Sequence, residues 1–265
     1  LRDHKRAYQR PDSVYQNFPS MLRKLAGIYA VVALVGSLMV SEPKAAAVST
    51  SSASNTKAPA NAVAIAGLTL KQALSSPQFW RMWTMIICSA TAGLNTASIY
   101  KQYAATSSAL TGDAFQAFVG GIGALFNGFG RLFWGSVSDI IGFKNSFMVL
   151  TALQAAMMFS YTFTTTNKAA FAVNTWMLFF CLAGNLALMP PATYRMFGPQ
   201  SGTVIYGVLY SAFAIASIFG GILTKSLVKT AGWARVFQVM TGMSVLACVL
   251  VSKLTPVTSY AESVV

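Results

Sequence analysis

The sequence is poor in charge, and poorest in acidic residues. Only 9% of its 265 residues are charged, with 6 Asp and Glu against 19 Lys and Arg, whereas 55% are hydrophobic. Soluble domains carry about 25% charged residues, so this shortage excludes an ordinary soluble enzyme and favours an integral membrane protein. The net charge of +13 fits basic residues that flank membrane spans. Because the sequence carries no nucleic-acid motif, we predict no nucleic-acid partner.

Residue groups for catalysis or metal binding are lacking as well. Cys88, Cys181 and Cys248 lie singly in apolar runs, which indicates neither a disulfide framework nor a metal site. His4 stands alone in a basic tail, and the sequence has no Ser/His/Asp constellation, Walker loop or dinucleotide loop. We therefore predict a protein that is not an enzyme and that uses no cofactor or metal.

What the sequence does have is long apolar runs. About 20 apolar residues in a helix cross a hydrocarbon core of about 30 Å. Such runs lie at 23–41, 79–100, 114–137, 145–164, 169–189, 203–224 and 233–252, and Pro190-Pro191 is expected to end the fifth. We predict an all-α integral membrane protein with seven transmembrane helices.

The runs divide the chain into parts. A low-complexity, Ala- and Ser-rich stretch has the composition of a linker and separates the first run from the other six. The predicted parts are a polar basic flank (1–22), a first transmembrane helix (23–41), the linker (42–74), a six-helix bundle (75–254) and a C-terminal tail (255–265).

The third run holds one cation, Arg131, inside apolar sequence. An arginine in the hydrocarbon core costs about 2.5–3.5 kcal/mol on insertion scales. Arg131 lies eight positions before Asp139, which places it about 12 Å into the membrane at 1.5 Å per residue. Gly121, Gly128 and Gly135 recur on one face of the same helix, where close contact with another helix is favoured. Most of the intramembrane amides are expected to bridge helices by hydrogen bonds. These amides are Asn95, Gln154, Asn174, Asn185 and Gln238.

Several segments together resemble one transporter family. SSPQFWRMW, followed by AGLN and YKQY, opens the second span; NGFGRLFWGSVSD closes the third; ALMPPATYRMFG and YGVLYSAFAIASIFGG cover the fifth and sixth. Over about 25–252 they resemble the C-terminal half of the oxalate/formate antiporter-like branch of the major facilitator superfamily, close to monocarboxylate transporters. The resemblance implies a half-bundle of helix six plus helices seven to twelve, in a fold whose two six-helix bundles rock around a central site.

The resemblance also implies a substrate site. Arg131 matches the arginine that carboxylate carriers of this branch use as an anion clamp, and a guanidinium can donate two parallel hydrogen bonds to a carboxylate. Asn127, one turn earlier, would extend the site. Tyr206 and Tyr210 lie one turn apart on a helix expected to face the pore, where their hydroxyls could donate to a bound anion, with packing as the alternative. The lysine that oxalate carriers add in helix eleven falls at Phe213, so we favour a monocarboxylate over oxalate. Neutralisation of Arg131 by an acid of another half, or by backbone carbonyls, remains an open alternative.

A gate and a pathway mouth are implied in the same way. The turn after the third span resembles the superfamily's cytoplasmic gating motif, with a plain interfacial turn as the alternative. Arg195 is expected to be a surface anchor. Tyr100, Lys101 and Tyr103 resemble a motif at the outer mouth, with an interfacial belt as the alternative. The predicted gating residues are Gly135, Ser138, Asp139, Gly142 and Lys144.

The sequence therefore predicts antiporter-like secondary active transport of a small, monocarboxylate-like organic anion across the bilayer by alternating access. Two alternatives stay open: a transporter-derived structural subunit of a larger membrane complex, and a carrier for amino acids or other metabolites of the same superfamily. The chain starts at Leu1 in polar sequence, and we expect either a missing N-terminal half or a partner membrane subunit to supply the opposite wall. The basic flank opposes the family topology under the positive-inside tendency, which leaves plasma and organelle membranes both open.

Overall fold

The computed structural model describes residues 12–39 and 68–254. The chain divides into two compact units, one from Leu1 to Lys57 and one from Ala58 to Val265. In the first unit, helix α1 spans Asp12–Met39. It begins earlier than the predicted span and takes in the second half of the predicted polar flank. The first part of that flank, the low-complexity core of the linker and the C-terminal tail lie outside the described residues.

The second unit consists of helices throughout its described part. Two of them, α4 and α6, each contain a glycine with positive φ, Gly142 (80°) and Gly232 (77°), where the helix breaks. Glycine adopts positive φ without the steric cost that a Cβ would bring. We call the parts before and after each break the first and second arms. The helices are α2 (Leu70–Ser75), α3 (Pro77–Ala104), α4 (Asp113–Tyr161), α5 (Lys168–Phe197) and α6 (Pro199–Ser252), with 3-10 turns at Ser108–Leu110 and Thr164–Thr166.

We call α3, α5 and each arm of α4 and α6 a rod. Consecutive rods of this unit run in opposite directions between its two ends. At one, which we call the Asp139 end, the Leu68 amide donates to the Phe197 carbonyl at 2.8 Å and Lys144 Nζ donates to the Leu254 carbonyl at 3.0 Å. The other, the Trp233 end, holds an aromatic cluster of Tyr103, Tyr161, Phe171, Trp233 and Phe237. Contacts at both ends thus close the rods into one bundle.

Four helical stretches are long and apolar enough to cross a membrane. Within the described residues they are Gln16–Met39, Asp113–Tyr161, Lys168–Phe197 and Ser201–Ser252. The breaks at Gly142 and Gly232 fall between predicted spans three and four and between spans six and seven. The count of seven spans itself stays a prediction.

The prediction that Pro190-Pro191 ends a helix was wrong. Helix α5 continues through both prolines to Phe197 and ends at Gly198, whose amide donates to the Tyr194 carbonyl. A proline removes one backbone donor, and helices inside a packed membrane bundle tolerate this loss because neighbouring groups satisfy the freed carbonyls. The glycine with positive φ (89°), rather than the proline pair, sets the end of the helix.

The glycines that pack α4 against its neighbour are not the predicted ones. A Cβ at Gly121, Gly128 or Gly135 would meet nothing within 4 Å, so this stripe faces open space. At Gly130 a Cβ would lie 2.8 Å from Ala183 Cβ and 3.1 Å from a backbone carbonyl oxygen of α5. Gly130 therefore lies on the face that packs on α5, and contact of the predicted stripe with another helix stays a prediction.

A polar network ties four rods together inside the bundle. Gln154 of α4 donates to the Ser89 carbonyl of α3 and to Ser244 Oγ of α6, both at 2.9 Å, and accepts from Asn185 of α5 at 3.2 Å. Ser89 Oγ in turn donates to Asn185 Oδ1 at 2.6 Å, and all four side chains are 0% exposed. Every amide in this network is therefore used for helix bridging, as predicted.

The remaining predicted amides differ in whether they bridge helices. Asn95 donates to Thr224 of α6, and Asn174 of α5 accepts from Ser160 of α4, so both bridge helices. Gln238 is the exception, because it accepts from Arg235 on its own helix and is exposed.

Candidate functional site

Arg131 lies at the rim of the packed face of α4. On one side of it, four residues before and three after, Asn127 is half-buried and Trp134 is 2% exposed. On the other side, Gly128 and Leu132 are exposed, as is Arg131 itself. The guanidinium thus stands beside the contact with α5 rather than deep in it.

The contact that positions Arg131 is made by backbone acceptors of α5. Asn127 Nδ2 donates to the Phe179 carbonyl at 3.0 Å, and Trp134 Nε1 donates to the Phe180 carbonyl at 3.1 Å. These two bonds flank Arg131 by about one helical turn on each side. Asn127 therefore holds the helix in place through one N–H of its side-chain amide.

Arg131 has no protein partner within residues 12–39 and 68–254. The ion pair found there joins Arg195 to Asp139, and no hydrogen bond or ring contact there involves Arg131. The alternative in which backbone carbonyls neutralise Arg131 receives no support from this geometry. A guanidinium at an open rim of an apolar helix can accept an anion or a carboxylate from outside the unit.

The other predicted substrate residues lie on the first arm of α6. Tyr206 and Tyr210 have ring centroids 5.8 Å apart, and Tyr210 contacts the ring of Phe213 at 5.1 Å. Tyr210 is exposed, Tyr206 half-buried, and Phe213 only 5% exposed within the core. Phe213 therefore serves packing in this structure, and Tyr210 is the member that reaches the surface.

The structure does not bring these residues into contact with Arg131. The first arm of α6 packs on α3, where Trp83 Nε1 donates to Ser211 Oγ at 3.2 Å and Gly220 approaches Thr91. The first arm of α4 packs instead on α5. Arg131 and Tyr210 thus belong to opposite flanks, and in the part of the chain that is described no hydrogen bond or ring contact joins them.

The predicted gate contains an ion pair that the sequence did not reveal. Arg195 Nη2 of α5 lies 3.2 Å from Asp139 Oδ1 of α4, with side chains 52% and 73% exposed. An exposed pair of this kind contributes about 0–1 kcal/mol. Arg195, expected only to be a surface anchor, is the ion-pair partner of Asp139. The sequence signal for this pair was the presence of opposite charges at the ends of two neighbouring spans.

The other gating residues have separate local roles. Gly142 forms the break at φ 80°, Lys144 donates to the carbonyl of Leu254, just after the end of α6, and Ser138 is buried. Gly135 faces open space. The turn is therefore anchored to α6 through Lys144 and to α5 through Asp139.

The predicted pathway mouth is mostly packed. Tyr100 is 8% exposed, its hydroxyl fills the space beside Gly120, and its ring meets Phe179 at 6.1 Å. Tyr103 donates to the Tyr161 carbonyl at 3.0 Å within the aromatic cluster. Lys101 alone is exposed, with Nζ 5.9 Å from the Tyr100 ring.

Comparisons with known proteins agree with this architecture. Residues 92–264 match the model of the Major Facilitator Superfamily. The chain is 31% identical over 189 residues to the oxalate:formate antiporter of Oxalobacter formigenes, covering 69% of this chain and 44% of that protein. It is 30% identical over 171 residues to apicoplast pyruvate carrier 1 of Toxoplasma gondii, covering 63% and 31%.

A solved structure shares the fold. The crystal structure of an auto-inhibited POT family peptide transporter aligns with a TM-score of 0.60 at 15% identity, over 68% of this chain and 38% of that one. The chain thus spans less than half the length of these relatives.

The apolar helices and these matches define a multi-pass integral membrane protein of a transporter class rather than an enzyme. The chain belongs to the major facilitator superfamily.

Proposed function

We propose that the protein carries a small organic anion, of the monocarboxylate type, across a membrane by alternating access. The observation that carries the proposal is Arg131, a cation exposed at the rim of an apolar helix without a protein partner among the described residues. Such a cation is costly in hydrocarbon unless an anion balances it. The names of two relatives, an oxalate:formate antiporter and a pyruvate carrier, support a carboxylate as that anion.

The proposal assigns the remaining site residues supporting roles. Asn127 fixes the position of Arg131 along α5 through its hydrogen bond to the Phe179 carbonyl. Tyr210 offers an exposed hydroxyl on the opposite flank, and Tyr206 supports its ring. Because Phe213 supplies no second cation, the single charge of Arg131 is balanced by one bound carboxylate group.

The proposal also includes an opposite wall. The exposed face of the first arm of α4, with Arg131, Gly128 and Leu132, is the surface expected to meet a second helical unit, either another half of the protein or a partner subunit. The Asp139–Arg195 pair would then act at the edge where the two units close.

Uptake by reconstituted protein tests this function. Protein expressed from its complete gene would be placed in liposomes, and uptake of labelled pyruvate, formate and oxalate measured. Replacing Arg131 by lysine keeps the charge but removes the two-pronged donor. Hydrogen bonds to charged groups contribute about 1.5–3 kcal/mol, and about 1.4 kcal/mol is tenfold, so uptake should fall about tenfold or more.

Arg235→Lys is the matched control. Arg235 is also exposed, but it donates to Gln238 on its own helix at 3.2 Å, so this variant should keep wild-type uptake. Full activity of Arg131→Lys would reduce Arg131 to a charge-balancing role. Failure of the wild-type protein to take up any carboxylate, with amino-acid uptake intact, would replace the proposal by the alternative carrier.

A further inference from the structure

A cationic groove lies between α3 and the first arm of α6, apart from Arg131. It has a volume of about 440 Å³, within the range of about 300–1,000 Å³ of small-molecule sites. Lys225 and Lys229 line it from α6, and Gln102 lines it from α3. The groove extends to the Trp233 end, because Trp233 forms part of its wall.

The two lysines stand together on one helix face. A separation of four residues places their Cβ atoms about 5–6 Å apart, and like charges at this spacing repel each other. Both side chains are exposed. An anion between the two ammonium groups would remove that repulsion and accept hydrogen bonds from both.

No carboxylate of the described unit serves as that anion. The acidic residues between 68 and 254 are Asp113 and Asp139. The ion pair found among the described residues uses Asp139 at the other end of the bundle, so neither lysine has a carboxylate within 4.0 Å there. The groove therefore carries two uncompensated positive charges.

The rest of the lining favours an organic anion. The floor is closed by Asn95, which donates to Thr224, and both residues are 5% exposed. Leu94, Val228 and Trp233 add apolar surface. Apolar walls add nothing to the binding of an inorganic anion, whereas they can bury the short carbon chain of an organic carboxylate.

We propose that this groove is a second anion-binding site, which takes small organic carboxylates through Lys225 and Lys229. Its lining comes from α3 and α6, while Arg131 stands on α4 beside α5. Binding here does not require transport, so the site can be tested separately from the proposed carrier function.

Intrinsic fluorescence of the purified full-length protein gives the test, because Trp233 lines the groove. Sodium pyruvate and sodium malonate would be titrated into protein in detergent micelles, with sodium sulfate and phosphatidylglycerol as competing anions. We expect a saturable change that disappears in Trp233→Phe. In the double variant Lys225→Gln, Lys229→Gln the dissociation constant should rise at least tenfold.

Lys168→Gln is the control at the same end of the bundle. Lys168 is exposed and contacts the Phe115 ring at 5.7 Å, outside the groove, so its dissociation constant should stay within twofold of wild type. Thermal unfolding would show that the double variant is folded.

Three results would overturn the proposal. The first is unchanged carboxylate binding by the folded double variant. The second is loss of the fluorescence change in Arg131→Gln alone, which would move the site to Arg131. The third is sulfate or phosphatidylglycerol binding as tightly as the carboxylates, which would leave a general cationic surface or a lipid site.

Discussion

Replacing Gly130 by alanine should loosen the contact between α4 and α5, whereas the same change at Gly128 should not. A Cβ at Gly130 would lie 2.8 Å from Ala183 Cβ, 2.9 Å from Phe180 Cδ2 and 3.1 Å from the Phe180 carbonyl oxygen. At least one of these atoms is backbone and cannot rotate away. A Cβ at Gly128 would meet nothing within 4 Å.

The two substitutions should therefore change the free energy of unfolding in opposite directions. Alanine is favoured over glycine inside a helix by up to about 1 kcal/mol, and Gly128→Ala should keep that gain. Overpacking costs about 1–3 kcal/mol, so Gly130→Ala should be destabilised by about 1 kcal/mol after the same gain. A difference of about 2 kcal/mol corresponds to about 4–8 °C in Tm for a protein of this size.

Native thiols supply the assay. Cys181 is 0% and Cys88 6% exposed, so a thiol-reactive dye labels both only after the bundle opens. A melting curve of dye labelling in detergent would give Tm for wild type, Gly130→Ala and Gly128→Ala. Equal Tm values for the two variants, or a lower value for Gly128→Ala, would refute the assigned packing face.

Two further predictions concern the interior and the gate. Gln154→Leu removes three buried hydrogen bonds, each contributing about 0.6 kcal/mol inside a membrane bundle, so stability should fall by about 2 kcal/mol in the same dye assay; the exposed Gln238→Leu should change little, and an equal loss in both would contradict the network. Asp139→Arg and Arg195→Asp should each lower carboxylate uptake, and the double reversal should recover it because the pair is restored; a double variant worse than either single would exclude a functional pair.

The sequence predicted the helical content well because its apolar runs are long. The break between the third and fourth runs was recognisable from the polar residues near Gly142, whose positive φ angle the structure shows. The helix end at Pro190-Pro191 was mispredicted because a proline pair is a strong stop signal in water but a tolerated one in a packed bundle.

The candidate site was predictable in part. Arg131 was singled out by its cost in hydrocarbon, and the structure places it exposed on α4. Its role toward a ligand stays a prediction. Which glycine face packs on α5 was beyond the sequence, because Gly121, Gly128 and Gly135 have a regular spacing whereas Gly123 and Gly130 share the same spacing two residues later. Only the positions of the α5 side chains distinguish the two faces.

Pairings across helices could not be derived from spacing along one helix. Arg195 lies 56 positions after Asp139, and Lys225 and Lys229 follow immediately after the span in which a second cation was sought. Helix packing then showed that the two lysines share a groove with α3.

The strengths of these contacts indicate where movement within the proposed transport cycle would occur. The network around Gln154 and Asn185 is fully buried and joins four rods, so breaking it would leave several polar groups without partners in an apolar interior. The Asp139–Arg195 pair is more than half exposed on both sides and can exchange for other partners at a cost of about 1 kcal/mol or less. A rocking motion should therefore carry the bundle as one body and change contacts at its Asp139 end. Because Arg131 is held on α5 by bonds one turn to either side, it would move with that body and meet a different opposite wall in each state.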